Sequence, residues 1–541
     1  MPELTLQETQ GVSNPGLAMG LGGLVDWGTN MVFLDIMNMS RSMYGHDTSG
    51  AWAAYSTEDL RAEGLLDDNG WPTEIPDHLV NISTIFAWED EGQAAATRAG
   101  TYVLTYEGTG TLNLVGDVSI VSQQDGRLEI ALGGGNWELQ ITDTDPADTL
   151  RDISIVREDH LELVEAGALF NPDYLALIED TAQIRFMDWQ ETNNSEVGPD
   201  DMPLFSGGNW RTTTDGEAPL DYMVALANQI GSDPWFCIPH QASDAYIRAF
   251  AEYVRDNLDP GLTARIEYSN ETWNWSFEQT HFFVEGAQAT WGDGGAYNSY
   301  FTMKAVNVAQ IFSEVWAEGA GDTPTLRNVV ATQTPNGWLT DERINGNYWQ
   351  QLDPEGWTDP ASVFDELAVT TYFGVGVVTS ESHRTALLDA LEVSQETAFD
   401  LLTDYLTDPD YGESVYGMLA QLEARAAQAH AAGLEMVGYE GGQHLHHSAF
   451  VEAPAEDLAA LDEMMIAYVR SDHMAELYQI LWDGWAEVGD NAFMHFVDVG
   501  TPTQWGSWGL YADMLDTTPR AELLEQLNAT EEQWWTTEAP G

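Results

Sequence analysis

With 541 residues, 43% of them hydrophobic and 21 of them Trp, the chain can bury a large core, either as two to four domains or as one large barrel with insertions. Its 89 acidic residues against 18 basic ones give a formal net charge of −71, and no basic cluster is present to meet nucleic acid or an anionic membrane. Cys237 is the lone cysteine, which excludes an intrachain disulfide and a Cys-based zinc site, and no apolar run reaches the length of about 18 residues that a membrane helix needs.

Residues 1–30 are Gly-rich and polar, and Met31-Val-Phe-Leu-Asp-Ile36 reads as a first strand. Turn signals such as Asp67-Asp-Asn-Gly-Trp-Pro72 fill the stretch to 96. From 97 to 157 the texture changes to short alternating runs, among them Thr101-Tyr-Val-Leu-Thr-Tyr106, Leu128-Glu-Ile-Ala-Leu132 and Trp137-Glu-Leu-Gln-Ile141. Strands at that spacing predict a small inserted β-sandwich. No aromatic platform is visible in it, so a structural insertion is favoured over a carbohydrate-binding module.

From about 180, strands alternate with helical stretches. The strands are 183–188, 235–238, 264–268, 328–332, 367–372, 435–439 and 492–497, and helices are expected at 243–257, 299–318, 413–432 and 456–487. With 31–36 at the front there are eight strand–helix units. The expected fold is therefore a (β/α)8 barrel: its start in 1–96, the β insertion in 97–157, and the remainder of the barrel in 158–541.

In such a barrel the residues at strand C-terminal ends converge on one face. Here they are Arg185, His240, Asn270-Glu271, Tyr372, Glu440 and, beyond the last strand, Trp505. The stretch Arg265-Ile-Glu-Tyr-Ser-Asn-Glu-Thr-Trp-Asn-Trp275 sets an acid beside an amide and two indoles, a combination suited to sugars. Cleaving a glycosidic bond needs one carboxylate facing the cationic anomeric carbon and one carboxylic acid facing the leaving oxygen. Glu440 fits the first role, with Arg185 and Tyr372 keeping it ionised and oriented, and Glu271 fits the second. Trp505 would floor the cleaved sugar, while loop placement makes Trp273 and Trp338 sugar platforms. Asp188 and Glu191 read as solvated loop residues, and Cys237 in Trp235-Phe-Cys-Ile238 as a buried, inert thiol.

This set resembles clan A of the retaining glycoside hydrolases, whose mark is an Asn-Glu pair ending strand four and a Glu ending strand seven, with Arg, His and Tyr on strands two, three and six. Three stretches, Ile266-Glu-Tyr-Ser-Asn-Glu-Thr-Trp-Asn274, Arg185-Phe-Met-Asp-Trp189 and Asp233-Pro-Trp-Phe-Cys-Ile-Pro-His240, resemble bacterial proteins often labelled cellulose-binding. The resemblance implies Glu271 as acid/base and Glu440 as nucleophile, with retention of configuration and a carboxyl separation of about 5–5.5 Å. The segment after Glu440, Gly441-Gly-Gln-His-Leu-His-His447, matches no well-known family pattern.

The expected activity is hydrolysis of a β-linked poly- or oligosaccharide without cofactor or metal. The rivals are a non-catalytic carbohydrate-binding barrel and a metal-dependent hydrolase built on His444, His446 and His447. Asn270-Glu-Thr272 also spells a glycosylation sequon, but its Asn would lie inside the pocket. The carboxylates are spread through the chain rather than blocked, which points to adaptation to high salt, where repulsion is screened. A secreted or cell-surface location is expected, although no basic-then-apolar leader opens this sequence.

Overall fold

The computed structural model describes residues 12–88, 92–206, 217–447, 451–530 and 533–535. In chain order the strands are Leu17–Gly20 (β1), Tyr44–Asp47 (β2), Leu79–Phe86 (β3), Gly100–Glu107 (β4), Gly110–Gln124 (β5), Arg127–Thr144 (β6) and Arg151–Arg157 (β7). They continue with Gln183–Arg185 (β8), Asp233–Ile238 (β9), Thr263–Tyr268 (β10), Thr325–Ala331 (β11), Glu366–Thr370 (β12), Glu435–Glu440 (β13) and Phe493–Phe496 (β14). Eight of these form one parallel sheet in the order β13-β12-β11-β10-β9-β8-β1-β14. The Phe496 N–H donates to the Gly441 carbonyl (3.1 Å), tying the last strand back to the segment after β13. Helices alternate with the strands, so the chain is a (β/α)8 barrel.

Each helix follows from its local pattern. In Asp244–Asn257 the Ser243 side chain caps the Tyr246 N–H, and Tyr246, Ile247, Phe250, Ala251 and Val254 fall on one buried stripe. Strand alternation sorts the rest. In β10, Ala264, Ile266 and Tyr268 face the helices, so Arg265 and Glu267 point into the barrel. The barrel interior is lined by a separate cluster that includes Ala18, Trp235, Cys237, Ala331, Val437, Tyr439 and Met494.

Seven barrel strands lie where the sequence places them; the first does not. Met31–Ile36 is no strand of the barrel. Phe33 and Asp35 make only isolated bridges, to Phe170 and Val156. The Asp35 carboxylate accepts the N–H groups of Met37 and Ile155 (3.0 and 2.8 Å), which turns the chain into a 3-10 helix at Ile36–Met39. The true first strand is the short, small-residue Leu17–Gly20, paired with β14 and β8.

The insertion also differs from expectation. Strands β2 and β3, upstream of 97, join β4, β5, β6 and β7 in one six-stranded antiparallel sheet rather than two facing sheets. Its centre is β6, which pairs with β5 along one edge and shares the other between β4, at Arg127 to Leu132, and β3, at Trp137 to Ile141. Gly133-Gly134-Gly135 lie at the changeover. Gly134 has φ +101°, and a Cβ there would sit 2.3 Å from the Ala95 carbonyl oxygen. Phe86 stacks on Trp137 with ring centroids 4.4 Å apart, and both belong to the same hydrophobic cluster as the layer between the barrel strands and helices. No helix among the described residues is long and apolar enough to cross a membrane.

Candidate active site

A buried cation anchors the site. Arg185, at the end of β8, donates to Glu440 Oε1 (2.7 Å), to Glu267 Oε2 (2.8 Å) and to Asn270 Oδ1 (2.9 Å). It also lies over the Tyr439 and Trp235 rings, 5.0 and 5.6 Å from their centroids. Glu267 takes a further bond from Trp235 Nε1 (2.9 Å), and the Cys237 thiol is 3.6 Å from the same oxygen. Every charge here has a partner, as burial requires; removing one member of such a group costs about 3–5 kcal/mol. Burial pushes the Cys237 thiol well above its usual range, so it stays protonated and inert.

Glu440 owes its position to a bulge. Val369 pairs with Gly438 but Thr370 pairs with Glu440, so Tyr439 is an extra residue in β13. Tyr439 already belongs to the barrel interior. The bulge lets the next side chain reach the same space, where Glu440 receives Arg185 on one oxygen and the Tyr372 hydroxyl (3.0 Å) on the other.

Glu271 is delivered by a kinked backbone. Ser269 and Glu271 have φ of +62° and +41°, and in the facing loop after β8 Glu191 and Asn194 have +43° and +59°. Such conformations cost on the order of 1–3 kcal/mol each and persist only where the surroundings impose them. The imposing contacts are visible. Asn193 Oδ1 accepts from Asn270 (3.1 Å) and Gln279 (2.8 Å), while Gln279 Oε1 accepts the Asn194 N–H (3.0 Å). The Glu271 carboxyl then meets Asn274 Nδ2 (3.0 Å) and the Tyr439 hydroxyl (3.3 Å).

The two carboxyls titrate as a pair. Burial raises both: Glu440 goes to about 8, against the pull of Arg185, with the charge of Glu271 adding to the rise. Glu271 is raised chiefly by burial, with Asn274 and Tyr439 opposing. Arg185 and Tyr372 bond directly to Glu440, whereas Glu271 has only neutral partners. Charge and hydrogen bonding thus favour the ionised form of Glu440 more directly than that of Glu271. A third carboxyl, Asp188 after β8, is partly buried, and burial pushes it up to about 7 with Arg185 opposing.

Of the residues singled out from sequence, Arg185, Asn270, Glu440 and Tyr372 form one bonded network, and Glu271 joins it through Tyr439. His240 is buried and its imidazole is pushed down to about 4, hence neutral. Its Nδ1 meets no protein partner, and among the described residues it bonds neither carboxyl. Trp273 packs against the interior cluster beneath Arg343, and Trp338 stands 60% exposed at the start of Gly337–Asn345. Trp505 sits exposed on the Thr503–Gly506 turn beyond β14, and the ring that ends β14 beside Tyr372, centroids 6.5 Å apart, is Phe496. Missed altogether are Glu267, Tyr439, Asn274 and Phe496.

The histidine loop divides. His444 stands edge-on to Tyr372 (4.8 Å) and is held neutral by burial, at about 4. His446 turns its Nδ1 to the His447 carbonyl, and His447 pairs with Asp462 (3.2 Å). Their nitrogens do not converge. Among the described residues the one trio of ligand atoms near enough to share an ion is Glu396, Asp400 and His473, with both carboxylates exposed on the outer helix Gln395–Thr407.

Neither a protein-family model nor a curated protein sequence matches this chain. Among solved structures it is similar to a glucosidase from Croceicoccus marinus, with 12% identity and TM-score 0.37 over 66% of this chain and 64% of that one. It is also similar to an endo-1,4-β-D-mannanase from Thermotoga petrophila (12%, TM-score 0.33, 66% and 93% covered). A broad-specificity endoglucanase from Bacteroides salanitronis aligns at 14% identity and TM-score 0.32, covering 66% and 85%. These structural neighbours are glycoside hydrolases, and the chain spans less than two thirds of the length of the first. At such identities the likeness is one of barrel fold.

Proposed function

We propose that this protein is a retaining β-glycoside hydrolase acting on a neutral β-linked poly- or oligosaccharide, and that it works at high salt. The observation that carries the reading is the unequal environment of two carboxyls in one buried site. Glu440 is held by Arg185 and Tyr372, and Glu271 is held only by Asn274 and Tyr439. In the first step a Glu440 oxygen bonds to the anomeric carbon as the glycosidic C–O bond breaks, and the Glu271 proton passes to the leaving oxygen. In the second, water attacks the same carbon, returns its proton to Glu271 and releases Glu440. The exposed Trp338, at the start of the helix Gly337–Asn345 that follows β11, supports an extended cleft and hence endo action. The charge of −71 favours uncharged substrates over anionic glycans.

Reducing-end release should be measured across plant, algal and microbial β-glycans in molar salt. Wild-type protein is expected to release sugar from one class with retained anomeric configuration by NMR. Glu440→Gln and Glu271→Gln should each lower kcat on that substrate by about 10²–10⁴-fold or more with folding intact. Near-normal rates in both variants, or no release from any glycan, would end the reading; binding without release would make the protein a carbohydrate-binding barrel.

A further inference from the structure

The inserted sheet carries an exposed indole that nothing in the barrel explains. Trp52 is 57% exposed yet firmly placed. The Asp47 carboxylate holds the turn before it by accepting from Ser49 N, Ser49 Oγ and Ala51 N at 2.9, 2.6 and 3.1 Å. The turn is closed on its other side by reciprocal backbone bonds between Gly45 and Tyr55 (2.8 and 3.1 Å). The ring rests on Tyr44 and His46, with centroids 5.1 and 6.2 Å away. An indole held rigid in water loses hydrophobic stabilisation that burial would give, while its fixed orientation lowers the entropy cost of binding a partner.

Beside it runs a ladder of polar side chains across the sheet. Tyr44 pairs with Ser83, Ser83 with Gln140 and Gln140 with Asn113, so one row crosses β2, β3, β6 and β5, a width of about 14 Å. Asn113 donates to Gln140 Oε1 (2.7 Å), Gln140 donates to Glu138 Oε2 (3.0 Å), and Glu138 Oε1 accepts from Tyr44 (3.0 Å) and meets His46 Nε2 (2.7 Å). The Ala53 N–H on His46 Nδ1 (3.4 Å) leaves Nε2 as the protonated nitrogen. The amides and the carboxylate are thus locked in orientation. Gln140 Oε1 and Glu138 Oε2 each accept one bond and keep a second lone pair, and Val115, 45% exposed, extends the apolar surface next to Asn113.

Charge is sparse along one side of the patch: β5 has a single ionisable side chain, Asp117, in fifteen residues, while the carboxylates of Glu138 and Asp47 are matched by donors. In a chain that carries −71 overall, a sparsely charged strip suits an uncharged ligand. Tyr44 and Ser83 are buried, so the accessible members of the row are Gln140 and Asn113. A flat aromatic face and oriented amides on one sheet face are the chemistry that takes a glycan, the C–H face of one pyranose on the indole and hydroxyls on the amides.

We propose that the Trp52 face of the insertion is a second glycan-binding site, separate from the barrel mouth, for a neutral oligosaccharide. It does not depend on catalysis in the barrel. The test is calorimetric titration of full-length Glu440→Gln protein with cellohexaose and with mannohexaose in molar KCl. Two equivalents of one of these sugars should bind. Adding Trp52→Ala should abolish one equivalent or weaken it tenfold or more, and adding Asn113→Ala should weaken the same site several-fold; both side chains are exposed, so folding is retained. A single equivalent in the parent that survives Trp52→Ala, two unaltered equivalents in the Trp52→Ala variant, or no binding of either hexasaccharide would overturn the proposal. So would sedimentation showing that Trp52→Ala turns a dimer into a monomer, which would assign the face to a second copy. If the glycan panel shows no hydrolysis while Trp52→Ala still removes one equivalent, the catalytic reading fails and this one stands.

Discussion

Glu271 and Glu440 repel only when both are ionised, so the proposed roles fix the sign of a pH experiment. If Glu271 holds its proton while Glu440 ionises, Glu271→Gln exchanges one neutral neighbour for another. With an aryl glycoside whose leaving group needs no proton, the acidic limb of the pH–rate profile in Glu271→Gln should then stay within about half a unit of wild type. A limb displaced downward by about one unit or more would show that Glu271 is charged when Glu440 ionises, and so is not the acid. At this scale the sequence is legible where function sits at strand ends: Arg185, Asn270-Glu271, Tyr372 and Glu440 all follow apolar runs that fix their place. Glu267 escapes because it is inside such a run, although an acid alternating with Arg265 on the inward side of a buried strand is a signal. Tyr439 escapes because its role depends on the bulge, and a bulge is a matter of pairing, not of local pattern.

The elements divide between those set by local pattern and those set by tertiary pairing. Seven barrel strands are apolar enough to read directly, but β1 consists of Leu-Ala-Met-Gly. Small residues are required there, since a Cβ on Gly20 would lie 2.9 Å from the Phe496 ring. That requirement erases the propensity signal a strand normally gives. Met31–Ile36 has the propensity but no sheet edge to join. The insertion follows the same logic: β4 and β6 are legible between 97 and 157, β2 and β3 are hidden among turn signals, and the single sheet depends on one strand serving two neighbours around Gly134. Gly134→Ala combines a positive φ with an approach to backbone that cannot yield. The expected loss is about 2–5 kcal/mol, read as a lower melting temperature and early proteolysis within 44–157, while Gly167→Ala, also at positive φ but with open space around it, should cost only about 1 kcal/mol. Equal losses at the two positions would mean that the changeover in β6 does not need the glycine.

For the whole molecule, the dominant fact is a charge of −71 on a barrel whose few cations are largely committed. Arg185, Arg265 and Arg343 are buried, and Arg41, Arg151, Arg157 and Arg470 are already paired with carboxylates. Little positive charge is left to offset the acidic surface, so repulsion acts across the fold in dilute buffer. It fades when the Debye length falls from about 8 Å at physiological ionic strength to about 3 Å at molar salt. Melting temperature at pH 7 should therefore climb steeply from 0.1 M to about 2 M KCl. Salt also strengthens apolar burial, so the climb alone does not identify its cause. Proton binding separates the two. Exposed carboxylates with ordinary values near 4 begin to neutralise as pH falls toward 4.5, which removes repulsion without touching buried apolar area. If charge is the cause, the salt dependence at pH 4.5 should be clearly shallower than at pH 7. Parallel slopes at both pH values would place the effect in the core, and the acidic surface would then need another explanation.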